Sequence, residues 1–420
     1  MSELPRGWVA APLHLLVRTK SGNSKLIKGR LSSSPEPGLV PAYSASGQDI
    51  WCDAAEWHGE GIVLSAVGAR CGKAFFASGS WTAIANTHVI VPHDEIESKF
   101  LWYRFNDERF WVKSGSAQPF VKVRDSLEKT LLLPPLAEQR RIVAAIEEHF
   151  SRLDAAEEAL CRADKRLTAL KLSALQTAID GNWPEKPLGD LLTTLRNGVF
   201  ASRPSIEPPG IPIFRISAVR SLSLDVSDLR FADLPPEAAS GYYVQEGDLL
   251  FTRYSGNPDY VGACAVVPHL EQPVLHPDKL IRVIVDRSKA DPKFLVLALS
   301  IGKARRAIEE RRKTTAGQVG IAGGQLKTVP VSVPPLADQR RIVAEVERQL
   351  SLVDALAAAT AAALKRSAAL RRSILERAFT GKLVPQDPTD EPASVLLERI
   401  RAERAADGAS RKTRRSRSSS

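Results

Sequence analysis

Cysteine is scarce in this chain of 420 residues, and its four copies follow no metal-ligating or disulfide pattern. Cys52, Cys71, Cys161 and Cys264 show no C-x-x-C spacing and no neighbouring pair of histidines. Structural zinc sites and disulfide frameworks both depend on such clustering. We therefore expect four ordinary reduced thiols and no metal site.

Long hydrophobic runs are also absent. No stretch approaches the roughly 18 to 20 uninterrupted apolar residues that a transmembrane helix requires. The N-terminal sequence MSELPRGWVAAPLHLL lacks the basic-then-apolar order of a signal peptide. With 44% hydrophobic and 25% charged residues, the composition is that of a folded chain of two or three domains. We expect a cytoplasmic protein.

Recognisable catalytic motifs are missing as well. The segment GARCGKA at 68–74 lacks the spacing and the Ser/Thr of a phosphate-binding P-loop. The seven histidines form neither HxH nor HExxH, and no NPPY-like tetrapeptide of an amino-methyltransferase occurs. Pro277-Asp278 and Asp291-Pro292-Lys293 superficially offer the acids and lysine of a nuclease, but the second proline would interrupt a core strand. A binding protein is favoured, and a self-contained DNA nuclease or methyltransferase is the alternative.

Positive charge is in excess, with a formal net charge of +10. The C-terminal sequence RKTRRSRSSS contributes cations and no acid, through Arg411, Lys412, Arg414, Arg415 and Arg417. A basic tail of this kind, residues 409–420, is typical of a disordered end. Accessory binding to a polyanion is the alternative.

The most informative feature present is an internal repeat. LPPLAEQRRIVA at 133–144 returns as VPPLADQRRIVA at 333–344, 200 positions later, and the register then holds without a gap for about fifty residues. An internal repeat indicates how a chain was assembled. The later matches include Ser151 and Ser351, Asp154 and Asp354, Lys165-Arg166 and Lys365-Arg366, Leu170 and Leu370, Leu175 and Leu375, Ala178 and Ala378, and Gly181 and Gly381.

Each copy predicts a long helix. The double proline ends an extended segment, because proline lacks a backbone N–H and pushes the preceding residue out of the helical region. Apolar residues then recur at threes, fours and sevens until Gly181 or Gly381, which suit helix C-caps. Each helix would span about 44 residues, or about 65 Å. The predicted stripes comprise Ile142, Ile146, Leu153, Leu160, Leu167 and Leu170, and then Ile342, Val346, Leu350, Val353, Leu356, Leu364, Leu370 and Ile374.

Helices of that length need a partner of equal length, and the other copy is the candidate within the chain. Many alanines along the stripes would permit close approach of the two helices. We therefore expect an antiparallel coiled coil. The alternative is two separate helices, each packed on its own domain.

Before each helix lies a region rich in Gly, Pro, Val and aromatics, which predicts mostly short strands. The two regions hardly resemble each other, but Trp8 precedes Leu13, and Trp183 precedes Leu188, by five positions. The expected fold class is α/β (mixed α+β), with two strand-rich domains joined by two long helices in a pseudo-two-fold internal repeat. The predicted boundaries are 1–133 and 182–333 for the domains, 134–181 and 334–381 for the helices, 382–408 for a C-terminal segment and 409–420 for the tail.

Nearly all of residues 1–400 resembles the specificity subunit of type I restriction-modification systems. The motifs that carry the resemblance are the paired PPLAEQRRIV and PPLADQRRIV, the W-x5-L openings, EGDLLFTRYSG at 246–256, VGARCGKAFF at 67–76 and LVPQDPTDEPASVLLERIRAERA at 383–405. The resemblance implies two target recognition domains that bind an asymmetric, bipartite site in double-stranded DNA, without catalysis by this chain. It also implies two methyltransferase (modification) subunits and restriction/translocase subunits as partners. Those partners would carry S-adenosylmethionine, ATP and Mg.

Candidate DNA contacts are polar residues on loops of the two domains, because cations bind phosphates while forked or amide side chains recognise base edges. Arg253 and Tyr254 belong to a run that, by resemblance, recurs whatever the target, which favours a role in the fold or at a phosphate. A solvated surface charge is the alternative for each cation. The candidates are Lys20, Lys25, Lys28, Arg30, Arg70 and Lys73 in the first domain, and Arg203, Arg253, Tyr254, Asn257, Lys303, Arg305, Arg306, Arg311, Arg312 and Lys313 in the second.

Candidate partner contacts are the two near-identical helix starts, since like surfaces suit two copies of one methyltransferase subunit. Two competing interpretations stay open: the arginines are helix-surface charges, or the chain is a coiled-coil scaffold that never touches nucleic acid. The candidates are Glu138, Gln139, Arg140, Arg141, Asp338, Gln339, Arg340 and Arg341.

Overall fold

Two units make up the chain. Unit 1 comprises residues 1–160 and 363–420, and unit 2 comprises residues 161–362. The structure is a computed structural model that describes residues 4–315 and 318–417, and the side chains of 4–314 and 318–406. Both units combine helices and short strands, as the sequence predicts.

The elements follow one another along the chain as strands β1–β25 and helices α1–α10. Among the described residues, no helix is both long enough and apolar enough to cross a membrane. The helices are α1 (Leu13–Leu16), α2 (Ser98–Phe105), α3 (Val123–Leu127), α4 (Leu136–Ile179), α5 (Pro236–Ala239), α6 (Pro292–Ser300), α7 (Gly302–Glu310), α8 (Gly323–Lys327), α9 (Leu336–Phe379) and α10 (Ala393–Arg417). The strands are β1 (Val9–Pro12), β2 (Val17–Ser21), β3 (Val40–Ser44), β4 (Gly47–Cys52), β5 (Trp57–His58), β6 (Gly61–Ser65), β7 (Ala74–Ala77), β8 (Ser80–Ala83), β9 (Thr87–Pro92), β10 (Lys113–Ser114), β11 (Phe120–Val121), β12 (Thr130–Leu133), β13 (Glu185–Pro187), β14 (Leu192–Asn197), β15 (Ile211–Phe214), β16 (Val219–Arg220), β17 (Ser223–Leu224), β18 (Leu229–Ala232), β19 (Leu249–Thr252), β20 (Tyr254–Ser255), β21 (Cys264–Val266), β22 (Leu280–Val285), β23 (Lys313–Thr315), β24 (Gln318–Gly320) and β25 (Pro330–Ser332).

The same sheet order occurs in both units. The strands run β2-β9-β6-β7 in unit 1 and β14-β22-β19-β21 in unit 2, antiparallel throughout. The strand after each opening tryptophan pairs with the strand before the long helix, β1 with β12 and β13 with β25. Helices α3 and α8 also occupy positions 200 residues apart. The internal repeat therefore extends into regions whose sequences hardly match.

Around this shared sheet the two units differ. Unit 1 adds a sheet of order β4-β3-β8-β5, in which β3 and β8 are parallel. Unit 2 adds the pairs β15-β18 and β16-β17 and a three-stranded sheet, β20-β24-β23. These additions give each unit a surface of its own on a common scaffold.

Each long helix begins by packing on a globular core. In unit 1, Ile142 and Ile146 of α4 are fully buried in one cluster with Phe100 of α2. In unit 2, Val346 of α9 is buried in one cluster with Phe294 of α6. Burying such a side chain contributes about 1.5–3 kcal/mol. The start of each long helix therefore packs on the globular domain that precedes it.

The two long helices also pack against each other, and they do so antiparallel as predicted. In unit 1, Arg371 of α9 pairs with Asp154 at 2.5 Å and with Glu157 at 3.3 Å on α4. In unit 2, Lys171 of α4 pairs with Asp354 of α9 at 3.1 Å. As the residue number on α4 increases from 154 to 171, the number of its partner on α9 decreases from 371 to 354, so the helices run antiparallel. The hydroxyl of Ser367 and then the guanidinium of Arg371 hold the pKa of Glu157 below its usual value.

The predicted stripes are buried or half-buried except at three leucines. Thr360 and Ser367, seven residues apart, are buried in the seam between the helices, whereas Leu170, Leu356 and Leu370 are 58%, 47% and 52% exposed. Each of these leucines lies one residue before a half-buried position of the seam. One residue rotates a side chain by about 100° around the helix. The prediction that they face the partner helix is wrong.

The C-terminus also differs from the expectation. Helical backbone of α10 continues to Arg417, into residues 409–420 for which the sequence predicts disorder. Alanine and arginine are strong helix formers, which accounts for the continuation. Residues 418–420, and the side chains from 407 onward, lie outside the described part of the chain.

His276 is a buried titratable group in unit 2. Its Nδ1–H donates to the carbonyl of Tyr242 at 2.7 Å, and burial lowers its pKa to about 4. The unfolded side chain titrates near pH 6.5. A depressed folded pKa means that the unfolded state takes up the proton first as the pH falls.

We therefore expect the free energy of unfolding to fall by roughly 3 kcal/mol between pH 6.5 and pH 4 on account of this one group. Chemical denaturation across that range should show the loss in the native chain and a flatter profile in His276→Gln. His269→Gln is the control, since His269 is 83% exposed. Identical pH profiles for the native chain and His276→Gln would contradict the prediction.

Candidate nucleic-acid interface

Lys20 lies on β2, an edge strand of the unit 1 sheet. Its Nζ is 5.3 Å from the centroid of the Trp57 ring. Trp57 in turn stacks on the buried Trp81, with centroids 5.7 Å apart. An ammonium held over an aromatic face stays accessible to an anion while its stem loses freedom. Lys20 is therefore an exposed cation in a defined position.

The hairpin of β3 and β4 gathers two further predicted cations. Lys28 forms an ion pair with Asp49 on β4 and remains 54% exposed. The guanidinium of Arg70 donates to the carbonyl of Ser46 in the turn of the same hairpin. Two cations far apart in the sequence are thus brought to one hairpin.

The other cations of the first set are less constrained. Lys25 and Arg30 are exposed on the loop that carries Lys28. The backbone N–H of Lys25 donates to the side chain of Asn23 at 2.9 Å, which shapes that loop. Lys73 is half-buried just before β7. Lys25 and Arg30 extend the cationic surface, and Lys73 contributes least to it.

A cleft of about 780 Å³ opens on unit 2. The Arg220 guanidinium lies 4.3 Å from the ring centroid of Tyr260, and Arg215 pairs with Asp228 at 2.9 Å. Aromatic faces and cations on the same walls can hold bases and phosphates together. The lining includes Arg215, Arg220, Arg230, Tyr254, Tyr260 and Lys279.

Sequence reasoning identified Tyr254 in this cleft and missed its four cations. Arg215 follows β15, Arg220 lies on β16, Arg230 lies on β18 and Lys279 precedes β22. Each cation is isolated in the sequence, so no local run of charge marks it. Only strand pairing, such as that of β15 with β18, brings them to one cleft.

Arg253 and Asn257 contact main-chain groups of the segments that line the cleft. Arg253 donates to the carbonyl of Asp278 at 3.3 Å, and its guanidinium lies 4.8 Å from the ring of the next residue. Asn257 accepts a hydrogen bond from the N–H of Asp259 at 3.0 Å and so caps the short helix that ends at Tyr260. Both side chains hold backbone that positions the aromatic lining.

The basic run at 303–313, on and after α7, contains six cations, and three of them hydrogen-bond to main-chain carbonyls. Arg305 donates to the carbonyls of Asp259 at 2.8 Å and Val261 at 3.1 Å. Arg311 and Arg312 likewise donate to main-chain carbonyls. The guanidiniums of Arg305 and Arg312 tie α7 to the loop that carries Tyr260, which differs from the direct contact predicted for them.

The remaining predicted cations of unit 2 are exposed. Lys303 lies 3.5 Å from Glu185 and is 78% exposed, while Arg306 and Lys313 are exposed on α7 and β23. Arg203 is exposed on the loop that flanks the cleft, with φ of 47°. These four cations are free of the structural role that the other arginines of the run have.

The two glutamines of the repeated phrase make the same contacts in both units. In unit 1 the buried Gln139 accepts from the N–H of Glu97 at 3.0 Å and donates to the carbonyl of the first proline at 2.9 Å. In unit 2 the buried Gln339 accepts from the N–H of Asp291 at 2.8 Å and donates to the equivalent proline carbonyl at 2.8 Å. Glu97 and Asp291 precede α2 and α6. Each glutamine therefore joins the start of a long helix to a helix of the globular domain.

A lysine–glutamate pair repeats beside each glutamine. Lys99 pairs with Glu147 at 2.6 Å, and Lys293 pairs with Glu347 at 2.6 Å. Sequence reasoning missed these pairs, although both lysines open the tripeptide KFL. The lysines are 194 rather than 200 positions apart, so a comparison at fixed offset passes over them.

Three of the predicted partner contacts are buried within the chain. Glu138 is 1% exposed, and burial raises the pKa of its carboxyl. Gln139 and Gln339 are fully buried. A side chain enclosed by its own domain has no surface to offer a partner. The prediction needs correction at these three positions.

The charged positions of the helix starts divide into paired and open ones. Arg141 pairs with Asp390 at 2.6 Å, which ties the C-terminal segment to α4 within unit 1. Asp338 pairs with Arg341 at 2.9 Å within α9. The side chain of Arg140 is 67% exposed and lies 3.8 Å from Glu97, and Arg340 is exposed. Arg140 and Arg340 are thus the matched pair that a partner could reach.

The cysteines and histidines assemble no metal site among the described residues. All four cysteines are free, and Cys161 is exposed on α4. Burial raises the pKa of Cys264 to about 12. A thiol with so high a pKa is an unreactive part of the core.

The substitution Gln139→Met should lower the free energy of unfolding by about 1–3 kcal/mol. The reason is that the N–H of Glu97 and the carbonyl of Pro134 would lose their hydrogen-bond partner. Chemical denaturation of the full chain measures the loss. Arg140→Ala, next to it and exposed, should change stability by no more than about 0.5 kcal/mol. Equal stabilities of Gln139→Met and Arg140→Ala would argue against the structural role of the glutamine.

Known proteins share this sequence pattern. The family model described as Type I restriction modification DNA specificity domain matches residues 51–160 and 180–365. The chain is 34% identical over 306 residues to the EcoKI specificity subunit of Escherichia coli, covering 67% of this chain and 66% of that one. It is 26% identical over 304 residues to the StySPI specificity subunit of Salmonella potsdam, covering 67% and 65%. The aligned part thus spans about two thirds of these relatives.

Solved structures share the fold. A chain from the structural study of complex assembly and conformational transition of the type I R-M system has a TM-score of 0.68 at 19% identity, covering 91% of this chain and 100% of that one. The HsdS subunit from Thermoanaerobacter tengcongensis has a TM-score of 0.56 at 20% identity, covering 91% and 98%. Because the family model also matches well over half of the sequence, this chain belongs to the type I restriction-modification DNA specificity family.

Proposed function

We propose that this chain is the DNA specificity subunit of a type I restriction-modification complex and performs no catalysis itself. One observation carries the proposal: a single scaffold occurs twice with different cationic surfaces. It consists of a four-stranded sheet and a long helix whose start is joined by a buried glutamine to a helix of the domain. A repeated scaffold with two surfaces suits an asymmetric, bipartite target. Residues 1–133 and 182–333 would be the two recognition domains.

The first half-site would contact the surface formed by Lys20, Lys28 and Arg70, extended by Lys25 and Arg30. Their exposure and fixed positions suit phosphate binding, which orients the protein on a duplex without determining sequence preference. Each neutralised phosphate should contribute about −0.9 to the dependence of log affinity on log salt. Recognition of bases would rest on the fewer polar groups beside these cations.

The second half-site would contact the unit 2 cleft. Arg220, Arg230 and Lys279 supply cations on its walls, and Tyr254 supplies an aromatic face. Arg203 and the exposed cations Lys303, Arg306 and Lys313 would add phosphate contacts outside the lining. Because this surface shares no residue pattern with that of unit 1, the two half-sites would differ in sequence.

The partners would be two methyltransferase subunits, with restriction/translocase subunits completing the complex in the cytoplasm. The duplicated helix starts present Arg140 and Arg340 in equivalent, exposed positions. Equivalent surfaces suit two copies of one subunit. S-adenosylmethionine, ATP and Mg would bind to those partners.

The proposal is tested by mapping DNA methylation in cells with and without this chain. Loss of the chain should abolish one bipartite motif, and replacing residues 1–130 with the corresponding segment of another family member should change one half of that motif only. Each domain contacts its own half, which is the reason for the expected independence. A change in both halves, or a methylation pattern that does not depend on the chain, would contradict the proposal.

Substituting both Arg140→Ala and Arg340→Ala should weaken assembly with the methyltransferase subunit roughly tenfold or more, since exposed charges at an interface steer and orient association. The methylated sequence should stay the same. Assembly can be measured by analytical ultracentrifugation, with Arg348→Ala as the control because Arg348 is equally exposed on α9. Unchanged assembly would leave the two arginines as helix-surface charges.

A further inference from the structure

Two large apolar side chains stand exposed beside the unit 2 cleft. Phe200 and Ile206 are each 73% exposed, and Ile206 lines the cleft. Large apolar side chains exposed at a cleft are candidates for a binding surface. These two flank a loop that also carries the exposed Arg203.

The loop is fastened at both ends. The N–H of Val199 donates to the carbonyl of His276 at 3.0 Å. Ser205 exchanges two backbone hydrogen bonds with Phe231, at 2.8 and 3.0 Å. Only residues 200–204 lie between these anchors. A loop held in this way loses little conformational entropy when it meets a ligand.

Backbone geometry sets the direction of the loop. A Cβ on Gly198 would lie 2.1 Å from the carbonyl oxygen of Pro277, so only glycine permits this close approach of the two segments. Arg203 has φ of 47°, a left-handed conformation that is strained for a residue with a side chain. Strained residues held by their surroundings occur preferentially at functional sites.

The charges around the loop favour a polyanion. Arg203 lies between the two apolar side chains in sequence, and Arg220, Arg230 and Lys279 line the adjoining cleft. Two acids lie among these cations: Asp278 belongs to the cleft lining, and the exposed Glu207 follows Ile206. Asp228, outside the lining, is neutralised by Arg215 and accepts from Ser217, so the four lining cations remain in excess. An apolar pair among cations fits duplex DNA, whose stacked base faces are apolar and whose backbone carries phosphate.

We infer that Phe200 and Ile206 form a wedge that enters the second half-site between adjacent base pairs and unstacks them, while Arg203 holds a neighbouring phosphate. Apolar wedges of this kind part base steps and kink the duplex in other DNA-binding proteins. The inference rests on the proposed function and adds that unit 2 deforms the DNA it binds. Specificity would then depend partly on how easily a base step opens.

The test uses the full chain and a duplex carrying the mapped motif, with 2-aminopurine in place of each adenine of the second half-site in turn. Binding should raise the fluorescence several-fold at one step, because unstacking relieves quenching. Phe200→Ala should remove that rise and weaken binding roughly tenfold, while Phe200→Trp should retain both, since aromatic stacking is preserved. Val226→Ala is the matched control, an exposed apolar side chain on another loop of unit 2.

The outcomes separate the wedge from the proposed function. Tight binding of the motif by the native chain without a fluorescence rise at any position would overturn the wedge and leave DNA recognition intact. Equal fluorescence of the native chain and Phe200→Ala would also overturn it. Failure of the native chain to prefer the motif over an unrelated duplex would instead count against the proposed function.

Discussion

A buried primary amide at the start of each long helix is the contact on which the architecture depends. The N–H groups at a helix N-terminus and the carbonyl before a helix start lack partners within their own helices. Gln139 and Gln339 each accept from one such N–H and donate to one such carbonyl, because an amide side chain both donates and accepts. A carboxylate or an apolar side chain of the same length could satisfy at most one. The repeated phrase is therefore conserved between the two copies by the structural requirement that it meets.

Charge pairs reinforce this junction, and they explain which arginines remain open. Lys99 and Lys293 bind glutamates on the long helices. Arg141 is occupied by Asp390. The pair of equivalent arginines left accessible at both helix starts is Arg140 and Arg340, and in α9 Arg341 is accessible as well. The same short phrase thus contains a buried structural element and an exposed charge, which have different roles although they are adjacent in sequence.

The shared scaffold contrasts with the surfaces built on it. In unit 1 an added sheet brings Lys28 and Arg70 to one hairpin. In unit 2 added hairpins form a cleft whose cations come from separate strands, and Phe200 and Ile206 stand beside it. A scaffold under tight packing constraints tolerates such variation only in the segments outside its core. This division between constant sheet and variable additions suits one fold to the two different half-sites that we propose.

The sequence by itself determined the repeat, the two 44-residue helices and the mixed α/β class, because proline punctuation and apolar periodicity are local properties. It also identified Tyr254 as a candidate contact, through the motif EGDLLFTRYSG. The tertiary structure decided which apolar residues stay outside the seam: Leu170, Leu356 and Leu370 lie one residue away from it, a shift that the periodicity alone tolerates. It likewise decided that Arg305 is structural and that Arg220, Arg230 and Lys279 meet in a cleft. Whether a cation is exposed or hydrogen-bonded to main-chain carbonyls depends on residues that are distant in the chain, and the local sequence does not specify them.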